Sequence, residues 1–191
     1  EMQREWLSLY PQIPLFNTYG ATECSDDVSL VCLDQPARRD CDRLPVGQAV
    51  GNMQVYALNR ELALAPIGVP GELYIGGVAV GRGYFTRPAL TAVAFLPDPF
   101  SAVPGARFYR TGDLGRYTAD GQIDFLGRQD DQVKIRGHRV ELSEIEARIA
   151  EHARVKQAVV LARGTGGADR ELVAYVVASD PDPGLVDTLR A

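Results

Sequence analysis

Lysine is nearly absent from this 191-residue chain: of 20 basic residues, only Lys134 and Lys156 are lysines. Chemistry that needs an ammonium group must use one of these two or draw it from elsewhere. The net charge is −5, and no basic stripe carries interleaved aromatics, which excludes nucleic acid as the main partner. Three cysteines, Cys24, Cys32 and Cys41, form no CxxC pair and match no zinc spacing; His138 and His152 are the only histidines. The chain is therefore expected to hold no structural metal. Its odd cysteine count suits a reducing, cytoplasmic setting with thiols packed as small apolar groups. No apolar run approaches the roughly 18 residues of a membrane span, and no basic segment leads into an apolar leader. With 46% hydrophobic and 24% charged residues, collagen-like, low-complexity and disordered classes also drop out.

What is present reads as alternating element types. Trp6 to Tyr10 has the character of a helix tail ended by Pro11 and Pro14, and Leu15-Phe16 then forms a short apolar strand. Strands are expected at Met53–Leu58, Glu72–Ile75, Phe108–Thr111 and Gln122–Leu126, separated by Gly and Pro. Ala119-Asp120-Gly121-Gln122 is a tight-turn signal between the last two. After Gly127 the pattern changes. Residues Gln132 to Leu142 alternate around Gly137 as a hairpin would. Ser143 is placed to cap a helix that carries Ile145, Ile149 and Ala153 at helical spacing, with Glu144 and Glu146 in its first turn. Strands Lys156–Leu161 and Glu171–Ala178 follow, then a helix from near Gly184. The β-α-β-β-α order suggests a small α+β domain, bounded near Arg128–Asp131.

Each polar segment taken singly has a bland explanation, since most turn residues only satisfy backbone groups. Taken in order they do not. Asn17-Thr18-Tyr19-Gly20-Ala21-Thr22-Glu23 is followed by Gly71-Glu72-Leu73-Tyr74-Ile75-Gly76-Gly77, then Arg82-Gly83-Tyr84 and Arg87-Pro88-Ala89-Leu90-Thr91-Ala92. Next come Tyr109-Arg110-Thr111-Gly112-Asp113-Leu114 and the run from Gly127 through Gln132-Val133-Lys134-Ile135-Arg136-Gly137 to Glu146. Over about residues 5 to 180 the chain resembles the adenylation domains of nonribosomal peptide synthetases, within the adenylate-forming enzymes. The wording of the last run separates it from fatty acyl ligases.

The resemblance implies an α/β fold with a β-barrel-like subdomain, followed by a small α+β subdomain. Residues 1–128 would be the C-terminal part of the large core, its α/β portion ending near 50, and 129–191 a truncated swinging subdomain. The implied reaction joins an amino acid carboxylate to the α-phosphate of ATP with magnesium, giving an aminoacyl adenylate and pyrophosphate, and then loads the acyl group onto the phosphopantetheine thiol of a peptidyl carrier domain. Attack of one anion on another calls for screening by a cation and by donors.

By the same resemblance, Asn17, Tyr19, Gly20, Thr22, Asp113, Phe125, Arg128 and Lys134 bind the nucleotide. Thr22 would contact the α-phosphate and Glu23 would hold magnesium, which prefers oxygen ligands. Tyr19 would stack on adenine, and Asp113 would accept both ribose hydroxyls. Phe125 stands where the family often has Tyr, losing that phenol. Arg128 would face the nucleotide, and Lys134 would approach it in the thiolation state. Thr22, Glu23 and Lys134 are thus the implied catalytic group, and Asp130 the hinge. Thr18, Asp26 and Asp27 match positions lining the amino acid pocket. Ala92 lies in a stretch resembling the surface that binds small MbtH-like helper proteins.

Departures are few: Ala21 replaces a proline, Gly81 an alanine and Ala94 an arginine. The phosphate-binding loop is expected upstream of this stretch and a second catalytic lysine downstream, so the 191 residues alone are expected to be inactive. Two other readings remain at this point: a free-standing amino acid or acyl adenylate ligase, and a non-catalytic domain that binds carrier or helper proteins.

Overall fold

Pro11 sets the first boundary, because a proline cannot donate the amide that a further helical turn requires. The structure, a computed structural model, describes residues 2–35, 44–130, 132–135, 138–164, 171–180 and 184–190, without the side chains of Lys134 and Arg190. Helix α1 (Met2–Leu9) buries Gln3 and Leu7, four residues apart on one face. The Trp6 indole donates to the Ile13 carbonyl at 3.0 Å and steers the chain into the first strand.

That strand is longer than Leu15-Phe16. β1 (Leu15–Ala21) absorbs most of the Asn17–Glu23 motif and pairs antiparallel with β2 (Asp26–Leu33), which the sequence reading did not separate. A 3₁₀ turn at Thr22–Cys24 joins them. Between Tyr19↔Ser29 and Gly20↔Asp27 the register slips by one residue, leaving Val28 in a bulge and fully buried. β3 (Gln48–Ala49) completes this three-stranded sheet.

The second sheet follows the path β4 (Met53–Leu58), β5 (Gly71–Gly77), β7 (Arg107–Tyr117) and β6 (Phe95–Pro97), with β8 (Ile123–Arg128) on β7. Period-two alternation gives it two covered faces. Met53, Val55, Ala57, Leu73, Ile75 and Tyr109 join one core cluster with Tyr19, Phe95 and Ile123; Leu58, Tyr74 and Phe108 form another. Fully burying a side chain such as Ile75 contributes about 1.5–3 kcal/mol. The barrel-like part therefore takes the form of an open sheet, with no closed barrel among the described residues. Since β5 runs along one edge of β7, β6 and β8 share the other, β6 at Arg107–Tyr109 and β8 at Asp113–Tyr117. Helix α2 (Pro88–Ala94), with Pro at its start, leads into β6 and was not anticipated as a helix. The Asp-Gly signal is realised as the β7–β8 turn, where the Gly121 amide donates to the Thr118 carbonyl.

The chain divides into two compact units, Glu1–Gln129 and Asp130–Ala191. In the second, β9 (Gln132–Ile135) and β10 (His138–Glu141) pair as the alternation predicts, the connecting residues 136–137 lying outside the described residues. Helix α3 (Leu142–Ala150) packs on β11 (Val155–Arg163), which pairs with β12 (Glu171–Ala178); α4 (Leu185–Arg190) follows. Ser143 does not cap α3. The helix leaves β10 without a loop, so Glu141 occupies the cap position and makes no side-chain cap bond. Its carboxylate accepts from the Gln132 side-chain amide instead. Glu146, by contrast, reaches out of the helix and accepts from the Val160 amide at 2.8 Å, tying α3 to β11.

Candidate functional site

Residue 113 is set in place by a bulge in β7. Glu72 pairs with Leu114, but Tyr74 pairs with Arg110, so one β5 residue, Leu73, faces three of β7: Thr111, Gly112 and Asp113. Gly112 sits at φ 75°, in the left-handed region where a side chain is strained. The Thr111 side chain replaces the ladder bonds that the bulge removes. Its hydroxyl donates to the Leu73 carbonyl at 2.7 Å and accepts from the Asp113 amide at 2.9 Å. The Gln129 amide closes on the Gly112 carbonyl at 2.8 Å. A bulge re-aims the side chain that follows it, and here that side chain is a carboxylate.

Two donors fix this buried carboxylate. Tyr19 donates its hydroxyl to Oδ2 at 2.7 Å, and Arg128, the cross-strand partner of Asp113 in β8, donates Nη1 to Oδ1 at 2.7 Å. Arg128 Nη2 also donates to the Thr111 carbonyl at 3.0 Å, so one guanidinium holds both ends of the bulge. With each oxygen engaged by a different element, the carboxylate plane cannot turn freely. The Tyr19 ring lies 5.9 Å from Phe125. Burial, and then the Asp113 charge, push the Tyr19 phenol well above its usual range, so it stays a donor at neutral pH. The structure thus brings together Tyr19, Asp113, Phe125 and Arg128, which lie far apart in the chain.

A second group forms where β1 ends. Gly20 faces the turn back into β2: a Cβ there would stand 1.5 Å from the Asp26 carbonyl oxygen, so only glycine fits. Ser25 and Asp26, at φ 59° and 81°, complete the reversal. This holds Thr22, exposed, and Glu23, half-buried, on the 3₁₀ turn. Glu23 accepts the Tyr84 hydroxyl at Oε1, 2.8 Å away, and its carbonyl accepts the Gly81 amide at 2.8 Å. The neighbouring Cys24 is fully buried, its thiol pushed up to about 12 by burial and then by the Glu23 charge. It stays protonated and is a packing residue.

Asn17 donates its side-chain amide to the Pro45 carbonyl at 2.7 Å and pins β1 to the chain before β3. Thr18, Asp26 and Asp27 are exposed on β1 and β2. Ala92 is exposed on α2. Asp130 accepts from the Gln132 amide at 3.3 Å. The Lys134 backbone stands in β9, and its side chain lies outside the described residues. Thr111 and Tyr84 received no role from sequence. Both stood inside quoted motifs, but nothing in a linear pattern shows that a threonine spans a bulge or that a tyrosine returns to a glutamate 61 positions away.

Among the described residues no three His, Cys, Asp or Glu side chains converge into a metal cage. The Glu23 carboxylate beside the Thr22 hydroxyl fits magnesium, which is commonly held by one or two carboxylates together with substrate phosphates. Among the same residues no helix is long and apolar enough to cross a membrane.

Residues 1–85 match the AMP-binding enzyme family. The chain is 51% identical over 177 residues to malpibaldin synthetase of Mortierella alpina, covering 93% of this chain and 3% of that protein. It is 48% identical over 182 residues to phosphinothricin tripeptide synthetase PhsB of Streptomyces viridochromogenes, covering 94% of this chain and 15% of that protein. Among solved structures, IdnL1 superposes with a TM-score of 0.85 at 31% identity, over 97% of this chain and 38% of that one. PA1221, described as containing adenylation and PCP domains, gives 0.78 at 28% identity over 96% and 37%. The chain thus spans a small part of each relative's length.

Proposed function

We propose, from the premise that this chain belongs to the AMP-binding enzyme family as the C-terminal portion of an adenylation domain, that its parent domain activates an amino acid. With magnesium bound, the amino acid carboxylate would displace pyrophosphate from ATP to give an aminoacyl adenylate, and the phosphopantetheine thiol of a carrier domain would then displace AMP to take the acyl group. The observation that carries this reading is the Tyr19–Asp113–Arg128 cluster: a buried, immobilised carboxylate on a bulge, next to aromatic rings. Such a group suits the paired hydroxyls of a ribose, which need an acceptor with two oxygens at fixed positions.

Each residue then has a task. Asp113 accepts the ribose hydroxyls, with Arg128 and Tyr19 holding its plane. The Tyr19 and Phe125 rings supply apolar surface for the base. Thr22 donates to the α-phosphate, and Glu23 is the carboxylate that holds magnesium. The cation, when bound, screens the phosphate charges that repel an incoming carboxylate. Asp130 is the hinge between the two catalytic arrangements, and Lys134 serves the second of them. Thr18, Asp26 and Asp27 line the amino acid side of the site. The carrier partner is supported by the adenylation and PCP domains of PA1221, and an MbtH-like helper protein would dock near Ala92.

The test is ATP–pyrophosphate exchange by the complete parent domain across a panel of amino acids. Exchange with one or a few of them is the expected result. No exchange with any amino acid, in a folded domain that still binds a carrier protein, would replace this reading with a binding-only role.

A further inference from the structure

The segment Ala79–Tyr84 lies over the turn that carries Glu23 and is fastened to it at several points. The Gly81 amide donates to the Glu23 carbonyl at 2.8 Å, and a Cβ at position 81 would stand 2.8 Å from that same oxygen. The Ser25 hydroxyl donates to the Ala79 carbonyl at 3.4 Å. The segment is clamped from its other side by Arg107, whose guanidinium donates to the Gly81 carbonyl at 3.0 Å and the Arg82 carbonyl at 3.1 Å. Arg107 is itself seated over the Phe95 ring, 5.5 Å from its centroid. Tyr84 ends the strap. Its amide donates to the Thr91 hydroxyl at 2.9 Å, its ring stands edge-on to Phe95 at 5.5 Å, and its hydroxyl reaches Glu23 Oε1 at 2.8 Å. Backbone and side chain of one glutamate are thus both engaged by one six-residue strap.

We propose that Tyr84 is a positioning residue for Glu23: its hydroxyl orients the carboxylate that holds the cation on the nucleotide phosphates, and the Arg107-clamped strap sets where that hydroxyl stands. This rests on the assignment of Glu23 as the magnesium carboxylate. A half-buried glutamate on a short turn samples several rotamers, and each must be given up when a metal binds. A hydroxyl that donates to Oε1 selects one of them beforehand, which improves binding by about threefold to tenfold. The ring of Tyr84 has a separate packing duty against Phe95, so phenylalanine at this position removes the hydroxyl and keeps the packing.

The experiment measures, on the complete parent domain without amino acid, the affinity for manganese–ATP and for ATP in excess chelator. Their ratio is the gain that the metal brings. Tyr84→Phe is expected to lower this gain about threefold to tenfold while leaving metal-free ATP affinity and the unfolding midpoint unchanged. Arg107→Gln, which loosens the strap without touching Tyr84 or Glu23, is expected to lower it in the same direction and serves if Tyr84→Phe does not fold. Glu23→Gln is expected to abolish the gain. If Glu23→Gln abolishes it and Tyr84→Phe leaves it at the wild-type value, the positioning role is overturned and the Glu23 assignment stands. If Tyr84→Phe weakens both forms of ATP equally, Tyr84 is structural only. If Glu23→Gln retains the full gain, the assignment of Glu23 fails and the proposal with it.

Discussion

Replacing Arg128 with alanine would leave the Asp113 carboxylate buried without its countercharge. The Asp113 side chain is 10% exposed and that of Arg128 21%, with 2.7 Å between them. Removing one partner of a buried pair costs about 3–5 kcal/mol, because the remaining charge has lost both water and its ion pair. The partial exposure of the guanidinium lets some water enter, which moves the expectation toward 3 kcal/mol, about a hundredfold in the folding equilibrium. The loss also includes the 3.0 Å contact to the Thr111 carbonyl, so the bulge itself loosens.

Arg148→Ala provides the comparison. Its pair with Glu151 is 81% and 65% exposed, and breaking it should cost no more than about 0.5 kcal/mol. Arg128→Lys should fall between them, since an ammonium is a point charge and cannot span Oδ1 and the Thr111 carbonyl together. The double variant Arg128→Met, Asp113→Leu should recover only part of the loss while losing nucleotide affinity, because apolar groups replace a buried pair at little net cost but take away the acceptor of the buried Tyr19 hydroxyl. Urea unfolding of the parent domain followed by circular dichroism measures these changes, with amide exchange at Gln129 as the local probe beside the bulge. Equal destabilisation by Arg128→Ala and Arg148→Ala would refute the reasoning.

Further outcomes follow from other positions. Gly20→Ala places a Cβ 1.5 Å from a backbone oxygen, where no flexible side chain can yield, so it should destabilise by at least about 3 kcal/mol in the same unfolding measurement. Cys24 is raised from 9.0 in the unfolded chain to about 12 when folded, so its contribution is fully present below pH 9. It is lost as pH climbs from 9 to 12, at up to about 1.4 kcal/mol per pH unit. Cys24→Ala should remove that part of the alkaline slope, and an unchanged slope would show that the thiol is not its source. Lys134→Ala in the parent domain should slow loading of the carrier thiol while pyrophosphate exchange persists. Parallel loss of both activities would show that the lysine serves the adenylation step as well.

Much of the fold is legible in the chain because its signals are local. Alternation marks Met53–Leu58 and Gln132–Glu141, Asp120-Gly121 marks the hairpin, and Pro11 ends a helix. The misses have local reasons too. β2 begins at Asp26 and Asp27, two acids that read as loop but pair through their backbone with Ala21 and Gly20. Ser143 reads as a cap only if a loop precedes the helix, and β10 runs straight into it.

The sequence by itself determined which chemical groups are available: two lysines, an aspartate inside Thr-Gly-Asp, a glutamate after Gly-Ala-Thr, and the ordered motifs that carry the family resemblance. Only tertiary structure decided which of them meet. Asp113 takes its donors from residues 94 positions before it and 15 after it, and Glu23 takes its from Tyr84. Periodicity reports the face a residue occupies within its own element. It carries no record of a register slip that swings Asp113 toward Tyr19, or of a strap returning to a turn, since both depend on backbone pairing between segments distant in the chain.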